Sequence, residues 1–242
     1  MAIRLIAGLG NPGREHERDR HNAGFWLVER YALGAGLRWT KESRFKGVTA
    51  KAAGDALLVM PQTYMNRSGQ SVVALARFFK IAPGETLVVH DELDFPPGTA
   101  RLKQGGGVAG HNGLKDIAEQ FGAPDFWRLR IGIGHPGDRS MVSDWVLSSP
   151  SPDDRREIET AIDQCLQVMP AILAGDMQAA MLRLHGVQKT KGAAAGASAD
   201  AASGKRPGPS AEAPATQRPG PSPAEAPATK RPAPPDSAGG ES

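Results

Sequence analysis

The first 25 residues, MAIRLIAGLGNPGREHERDRHNAGF (1–25), run from an apolar stretch through a glycine-spaced loop into a polar segment, Arg14 to Asn22, before apolar periodicity resumes at Ala23. Gly8, Gly10 and Gly13 satisfy G-x-G-x-x-G. In a dinucleotide-binding turn, that spacing opens a helix at the third glycine, and an acidic residue follows about 20 positions on. Here Asn11-Pro12 sits inside the loop, the helix waits until Ala23, and ALGAGLRW around position 33 holds no acid. The meaning of the loop therefore rests on its polar residues, Asn11 and the nearby His21. IRLIAGL reads as a buried strand and AGFWLVERYAL as an amphipathic helix ending at Gly34. A strand, a loop and a helix in that order open an α/β sheet.

The alternation continues along the chain. RFKGVTAKAA (44–53) and DALLVMP (55–61) read as neighbouring strands joined at Gly54-Asp55. SGQSVVALARFFKI (68–81) is helical, with Val72, Ala76 and Phe79 as apolar positions and a stop before Pro83. ETLVVHDEL (85–93) is a short buried strand, and TARLKQ (99–104) alternates in polarity as a half-exposed strand does. HNGLKDIAEQF (111–121) is a helix, FWRLRIGIG (126–134) a strand, and DDRREIETAIDQCLQVMPAIL (153–173) a long helix interrupted near Pro170. These elements predict a single-domain three-layer α/β sandwich with a twisted mixed, mainly parallel sheet flanked by helices.

Composition divides the chain. From Gln188 to Ser242 there is no Leu, Ile, Val, Met or aromatic residue, and half of the 20 prolines fall there. RPGPSAEAPATQ (206–217) recurs as RPGPSPAEAPATK (218–230). Such a segment buries too little apolar surface to offset its ordering entropy, so residues 188–242 are expected to form a disordered Pro/Ala-rich tail and residues 1–187 the catalytic domain. A solubilising tail is the plain reading; a proline-motif docking site is the alternative. The tail carries seven Lys/Arg and five Asp/Glu, which leaves 22 against 21 in the body, so only a local basic patch supports nucleic-acid binding. The single Cys165 excludes an internal disulfide framework and fits a reducing compartment. With no membrane-spanning apolar stretch and no signal peptide, a soluble cytoplasmic protein is expected.

In open α/β sheets, ligands collect beyond the carboxyl ends of the strands. That rule brings Asn11, Asn66 and Asp91 together, with His21 within reach. His21, with an ordinary pKa near 6.5, suits a general base, and Asp91 could fix its tautomer. Asn11, Asn66 and Asn112 could orient water or stabilise an oxyanion. There is no Gly-x-Ser-x-Gly elbow, and Cys165 lies within an apolar helical pattern, so a water activated by His21 is simpler than a covalent nucleophile.

Plainer readings stand beside these. His21-Asn22, Asn66 with Ser68, and His111-Asn112 could each cap a following helix, and Asp91 could close a turn before Pro96-Pro97. His16, His21, His90, His111 and His135 raise the question of a metal, but none stands at zinc-ligand spacing. Arg101 and Lys103 share one face of a strand ahead of the glycine-rich loop 105–107, with Lys115 and Arg130 as further cations; together they could hold phosphate or form a solvated face.

GLGNPG (8–13), RHNAGF (20–25), PQTYMNRSG (61–69), HDELDFPPG (90–98), GGGVAGHNGLKDI (105–117) and RLRIGIGHPG (128–137) occur in that order. Together they resemble bacterial peptidyl-tRNA hydrolases across roughly residues 3 to 186. The resemblance implies hydrolysis of the ester joining a peptide to the terminal ribose of tRNA, by a monomeric cytoplasmic enzyme without metal or cofactor. It implies His21 as base, Asp91 as its partner and Asn11 as the residue that discriminates blocked from free aminoacyl ends. Asn66 and Asn112 would hold the peptide backbone and the water, Tyr64 and Met65 would line the site, and Arg101, Lys103 and Arg130 would contact tRNA phosphates, the 5′ phosphate end in particular. The family usually has Tyr where this chain has His16, which could still stack on a base. The alternative reading is a non-catalytic RNA-binding protein on the same fold.

Overall fold

The computed structural model describes residues 2–186. The expected tail with its repeat, and the domain boundary at 187, lie outside the described residues.

Seven strands form one sheet: β1 Leu5–Gly8, β2 Thr40–Glu42, β3 Gly47–Lys51, β4 Leu57–Pro61, β5 Thr86–Glu92, β6 Ala100–Gln104 and β7 Trp127–Gly132. Their spatial order is β2-β3-β4-β1-β5-β7-β6. The four central strands, β4-β1-β5-β7, run parallel, while β2, β3 and β6 extend the edges antiparallel. Among the described residues, five of the helices are α1 Ala23–Gly34, α2 Gly69–Phe78, α3 Asn112–Phe121, α4 Val142–Val146 and α5 Pro152–Leu173.

Strand alternation sorts the core onto two faces. Ile6, Leu58, Leu87, Val89, Leu129 and Ile131 pack with residues of α1 and α5, whereas Leu5, Ala7, Leu57, Val59 and Val88 pack with those of α2 and α3. Both faces of the parallel centre are covered, which is why its strands read as unbroken apolar runs. The three-layer mixed sandwich predicted from the sequence is therefore present.

From β1 the chain builds out through β2, β3 and β4 on one side, and from β5 through β6 and β7 on the other, so a crevice opens between β1 and β5 where the strand order reverses. The approach of α1 to the sheet is close: Phe25 N–H donates to Leu9 O at 3.1 Å and Leu9 N–H to Val89 O at 2.9 Å.

Several features differ from the sequence reading, which contained neither α4 nor the helical residues 177–186. The long helix does not break near Pro170 but continues to Leu173. Its buried face, Cys165, Val168, Met169 and Ile172, spans the proline. Core packing outweighs the roughly 3 kcal/mol cost of an interior proline, and the chain turns instead at Gly175 (φ 81°). β2 also went unpredicted: three residues long, it is recruited by pairing with β3 rather than by any pattern of its own. Residues 177–186 are helical again. Among the described residues no helix is long and apolar enough to cross a membrane.

Candidate active site

At the carboxyl end of β5, Asp91 is buried and receives two hydrogen bonds on one oxygen. His21 Nδ1 lies 2.9 Å from Oδ1, and His111 Nε2 lies 3.1 Å from the same atom. An ionised carboxylate only accepts, so both ring nitrogens facing it carry their protons. Burial opposes the charge on Asp91, but the two histidines outweigh it and hold the carboxyl well below the usual carboxylate range. Burial likewise disfavours charge on His21; the charge and hydrogen bond of Asp91, with Asp19 adding, outweigh that and raise its pKa. His21 thus keeps Nδ1–H on Asp91 and has a basic lone pair at Nε2.

His111 is the site residue whose role the sequence left incomplete. It does cap α3 as expected, its Nδ1 accepting from Gly113 N–H at 3.2 Å and Leu114 N–H at 3.3 Å. The cap, however, also fixes the ring. With Nδ1 committed as acceptor, Nε2 must hold the proton, which it gives to Asp91. The ligating atoms of His21, Asp91 and His111 lie within 4.8 Å of one another, a cluster that could hold a metal by distance alone. For His111 to ligate through Nε2 it would have to move its proton to Nδ1 and give up both backbone bonds, so the present donor set fits two imidazoles donating to one carboxylate better than a cation. His90, the neighbour of Asp91, donates from Nδ1 to the Asp91 carbonyl at 2.6 Å. Burial, aided by His111, pushes its pKa down to about 3, which keeps it neutral.

Asn11 belongs to the same constellation. Its Oδ1 accepts from Met65 N–H at 2.8 Å, which commits the oxygen and leaves the amide NH₂ as its free donor group. Asn22 does not cap α1 with its side chain. It clamps Asn11 instead: Asn22 Oδ1 accepts from Asn11 N–H at 2.8 Å and Nδ2 donates to Asn11 O at 3.0 Å. The loop of the opening motif is thus a rigid mount for one amide, and no helix begins at Gly13, where only a short turn, Arg14–His16, follows.

These residues line a cavity of about 970 Å³, whose wall also contains Tyr64, Met65, Asn66, Asn112, Lys103 and Arg130. Met65 is buried, while Tyr64 is 63% exposed at the rim. The basic residues belong to a two-by-two ladder across β6 and β7, Arg101 facing Arg130 and Lys103 facing Arg128, of which Lys103, Arg128 and Arg130 line the cavity. Much of this charge is engaged internally. Arg130 Nε donates to Glu92 Oε2 at 2.8 Å and its guanidinium lies 4.4 Å over the Phe95 ring. Arg128, absent from the sequence reading, is buried and donates to Gly107 O at 2.6 Å and to Gly106 O, so it holds the glycine-rich loop. Gly106 adopts φ 94°, which a side chain would strain. Lys103 is exposed on the cavity wall, as are Arg67 and Arg139.

Three expected contributors stand apart from that wall. Arg101 does not line it, and burial lowers its pKa. His16 is held at 2.7 Å by Asp19. Lys115 lies on the exposed face of α3, 4.0 Å from Glu119.

The sequence pattern described as peptidyl-tRNA hydrolase matches residues 5–192. The chain belongs to the peptidyl-tRNA hydrolase family. It is 53% identical over 191 residues to the peptidyl-tRNA hydrolase of Methylobacillus flagellatus, covering 78% of this chain and 98% of that one. With the peptidyl-tRNA hydrolase of Thiobacillus denitrificans the identity is 56% over 182 residues, covering 75% and 90%. The crystal structure of peptidyl-tRNA hydrolase from Acinetobacter baumannii matches with a TM-score of 0.73 at 45% identity, covering 75% of this chain and 94% of that one. A peptidyl-tRNA hydrolase fold therefore frames the cavity, with the Asp91 cluster at its floor.

Proposed function

We propose that this peptidyl-tRNA hydrolase cleaves the ester between a peptidyl group and the tRNA ribose by direct attack of water, with His21 as the base. The observation that carries the proposal is the 2.9 Å bond from His21 Nδ1 to buried Asp91 at the floor of the cavity. It leaves Nε2 as the one ring nitrogen able to take a proton. His21 removes a proton from water as the oxygen attacks the ester carbonyl carbon. The same proton then goes to the ribose oxygen as the carbon–oxygen bond breaks, giving a free peptide acid and a tRNA hydroxyl. We assign the Asn11 amide to the carbonyl of the blocking acyl group, an acceptor that a free aminoacyl end lacks; Asn66 and Asn112 hold the peptide backbone and the water. Tyr64 and Met65 contact the substrate. Lys103, Arg101 and Arg130 hold tRNA phosphates, and His16 stacks at the periphery. The reading includes a metal-free monomer working in the cytoplasm.

The test compares release from an N-acetyl-aminoacyl-tRNA and from the same tRNA carrying a free amino acid, with and without a chelator. The expected result is rapid release from the blocked substrate only, unaffected by chelation. Binding without release would favour a non-catalytic RNA-binding protein, and chelator-sensitive release would contradict the fixed tautomer of His111.

Lys103→Ala is expected to weaken tRNA binding and to lower the slope of log affinity against log salt by about one, since each phosphate contact releases roughly one counterion. Binding titrations at several salt concentrations check this; an unchanged slope removes Lys103 from the phosphate site.

A further inference from the structure

His21 sits in a single tight turn, Arg20–Asn22, between two anchored neighbours. Asn22 ties the turn to Asn11 on the cavity floor. Arg20 ties it to the opposite wall. Its Nη1 reaches Ser149 O at 2.9 Å, Ser148 O at 3.2 Å, Ser148 Oγ at 2.8 Å and Trp145 O at 3.5 Å. Its guanidinium carbon lies 3.7 Å over the Trp145 ring, Nη2 lies 3.5 Å from Asp154 Oδ2, and its backbone N–H donates to Ser148 O at 3.1 Å. Trp145 is itself fixed by donating from Nε1 to Gly134 O at 2.9 Å. Arg20 is only 4% exposed.

The segment gripped in this way is the cavity roof: α4 and its flanks supply Arg139, Val142, Ser143, Val146 and Leu147 to the wall. A buried arginine spending one nitrogen on this many acceptors is costly unless the junction it makes matters. We infer that Arg20 is a positioning residue that joins the roof segment 139–149 to His21, so that the setting of the roof over substrate and the aim of the base are one mechanical adjustment. The inference rests on the reading of His21 as the base. Arg20 does not touch the reacting atoms. It acts by holding the turn, and a displacement of about 1 Å at the base is enough to slow chemistry on the order of 10²-fold.

The test is steady-state kinetics on N-acetyl-aminoacyl-tRNA. Arg20→Lys keeps the charge but loses the planar fork. It is expected to lower kcat by about 10- to 100-fold with KM within about twofold of the parent. Trp145→Leu, which loosens the roof end of the junction without touching His21, should lower kcat several-fold with the same KM. The double variant should lose less than the product of the two, because both cut one linkage. Folding is checked by thermal unfolding, and if Arg20→Lys does not fold, Trp145→Leu carries the test alone. A folded variant with kcat within twofold of the parent, or strictly multiplicative losses, overturns the inference. His21→Ala run alongside separates the two ideas: if it retains activity, the base assignment fails, and if it is inactive while the roof variants are normal, only the role of Arg20 fails.

Discussion

His21→Ala is expected to lower kcat for N-blocked aminoacyl-tRNA by about 10² to 10⁴, the usual contribution of a positioned general base. Affinity for tRNA should be nearly unchanged, because Lys103 and Arg130 stand on the β6–β7 ladder rather than on the turn that carries the base. The loss belongs in kcat because the imidazole acts on a proton in flight and holds nothing in the ground state. Single-turnover hydrolysis together with a binding titration separates the two quantities. A variant that hydrolyses at near the parental rate would remove His21 from the chemistry.

Gly24→Ala is the second change with a large expected effect, this time on the fold. A β-carbon at Gly24 would stand 2.3 Å from Val89 O, 2.5 Å from Leu9 N and 2.6 Å from Leu9 O. These are backbone atoms of the central strands and their continuation, which cannot swing aside as a side chain can. Alanine favours a helix over glycine by roughly 1 kcal/mol, but overpacking of this kind costs about 1–3 kcal/mol and occasionally more, so the clash decides the sign. With clashes this short the cost falls at the upper end, leaving a net loss of about 2 kcal/mol, so at 2–4 °C per kcal/mol for a domain of this size Tm should fall by about 4–8 °C. Activity should fall further than stability requires, because the start of α1 carries the Arg20–Asn22 turn with it. A calorimetric Tm equal to or above that of the parent would contradict the close docking of α1.

Much of this was legible in the sequence, and the reasons are specific. The apolar runs of β1, β4, β5 and β7 could be read because a strand buried on both faces has few other compositions available. The strand-end rule then gathered Asn11, Asp91 and the neighbourhood of Asn66 without any knowledge of distances. What stayed hidden depends on partners far along the chain. Asn22 looks like a helix cap, and only the fold reveals that its amide clamps Asn11, 11 residues away. His111 reads as a cap and is one, yet its second nitrogen meets an aspartate 20 residues away. Arg20 shows nothing in its local pattern of the backbone oxygens 128 and 129 residues downstream that it holds. Pro170 misled for the converse reason, since a local rule was overridden by a buried helix face. In the basic wall, residue type identified Lys103 and Arg130 but not Arg128, and could not say that Arg130 and Arg128 are partly engaged by Glu92 and by loop carbonyls.

The central claim is that the Asp91 carboxylate tunes the His21 imidazole as a base, and the pH dependence of kcat/KM in the parent and in Asp91→Asn tests it most directly. A base works only when neutral, so the rate falls as pH drops through the pKa of His21, which Asp91 raises above the ordinary 6.5. An asparagine can still accept from the rings but carries no charge, which leaves burial as the largest influence on His21, and burial lowers the pKa. The account predicts an acid limb above pH 6.5 in the parent that moves to lower pH in Asp91→Asn, with a reduced plateau. Acid limbs that coincide in the two proteins, or a limb that moves to higher pH in the variant, would contradict it.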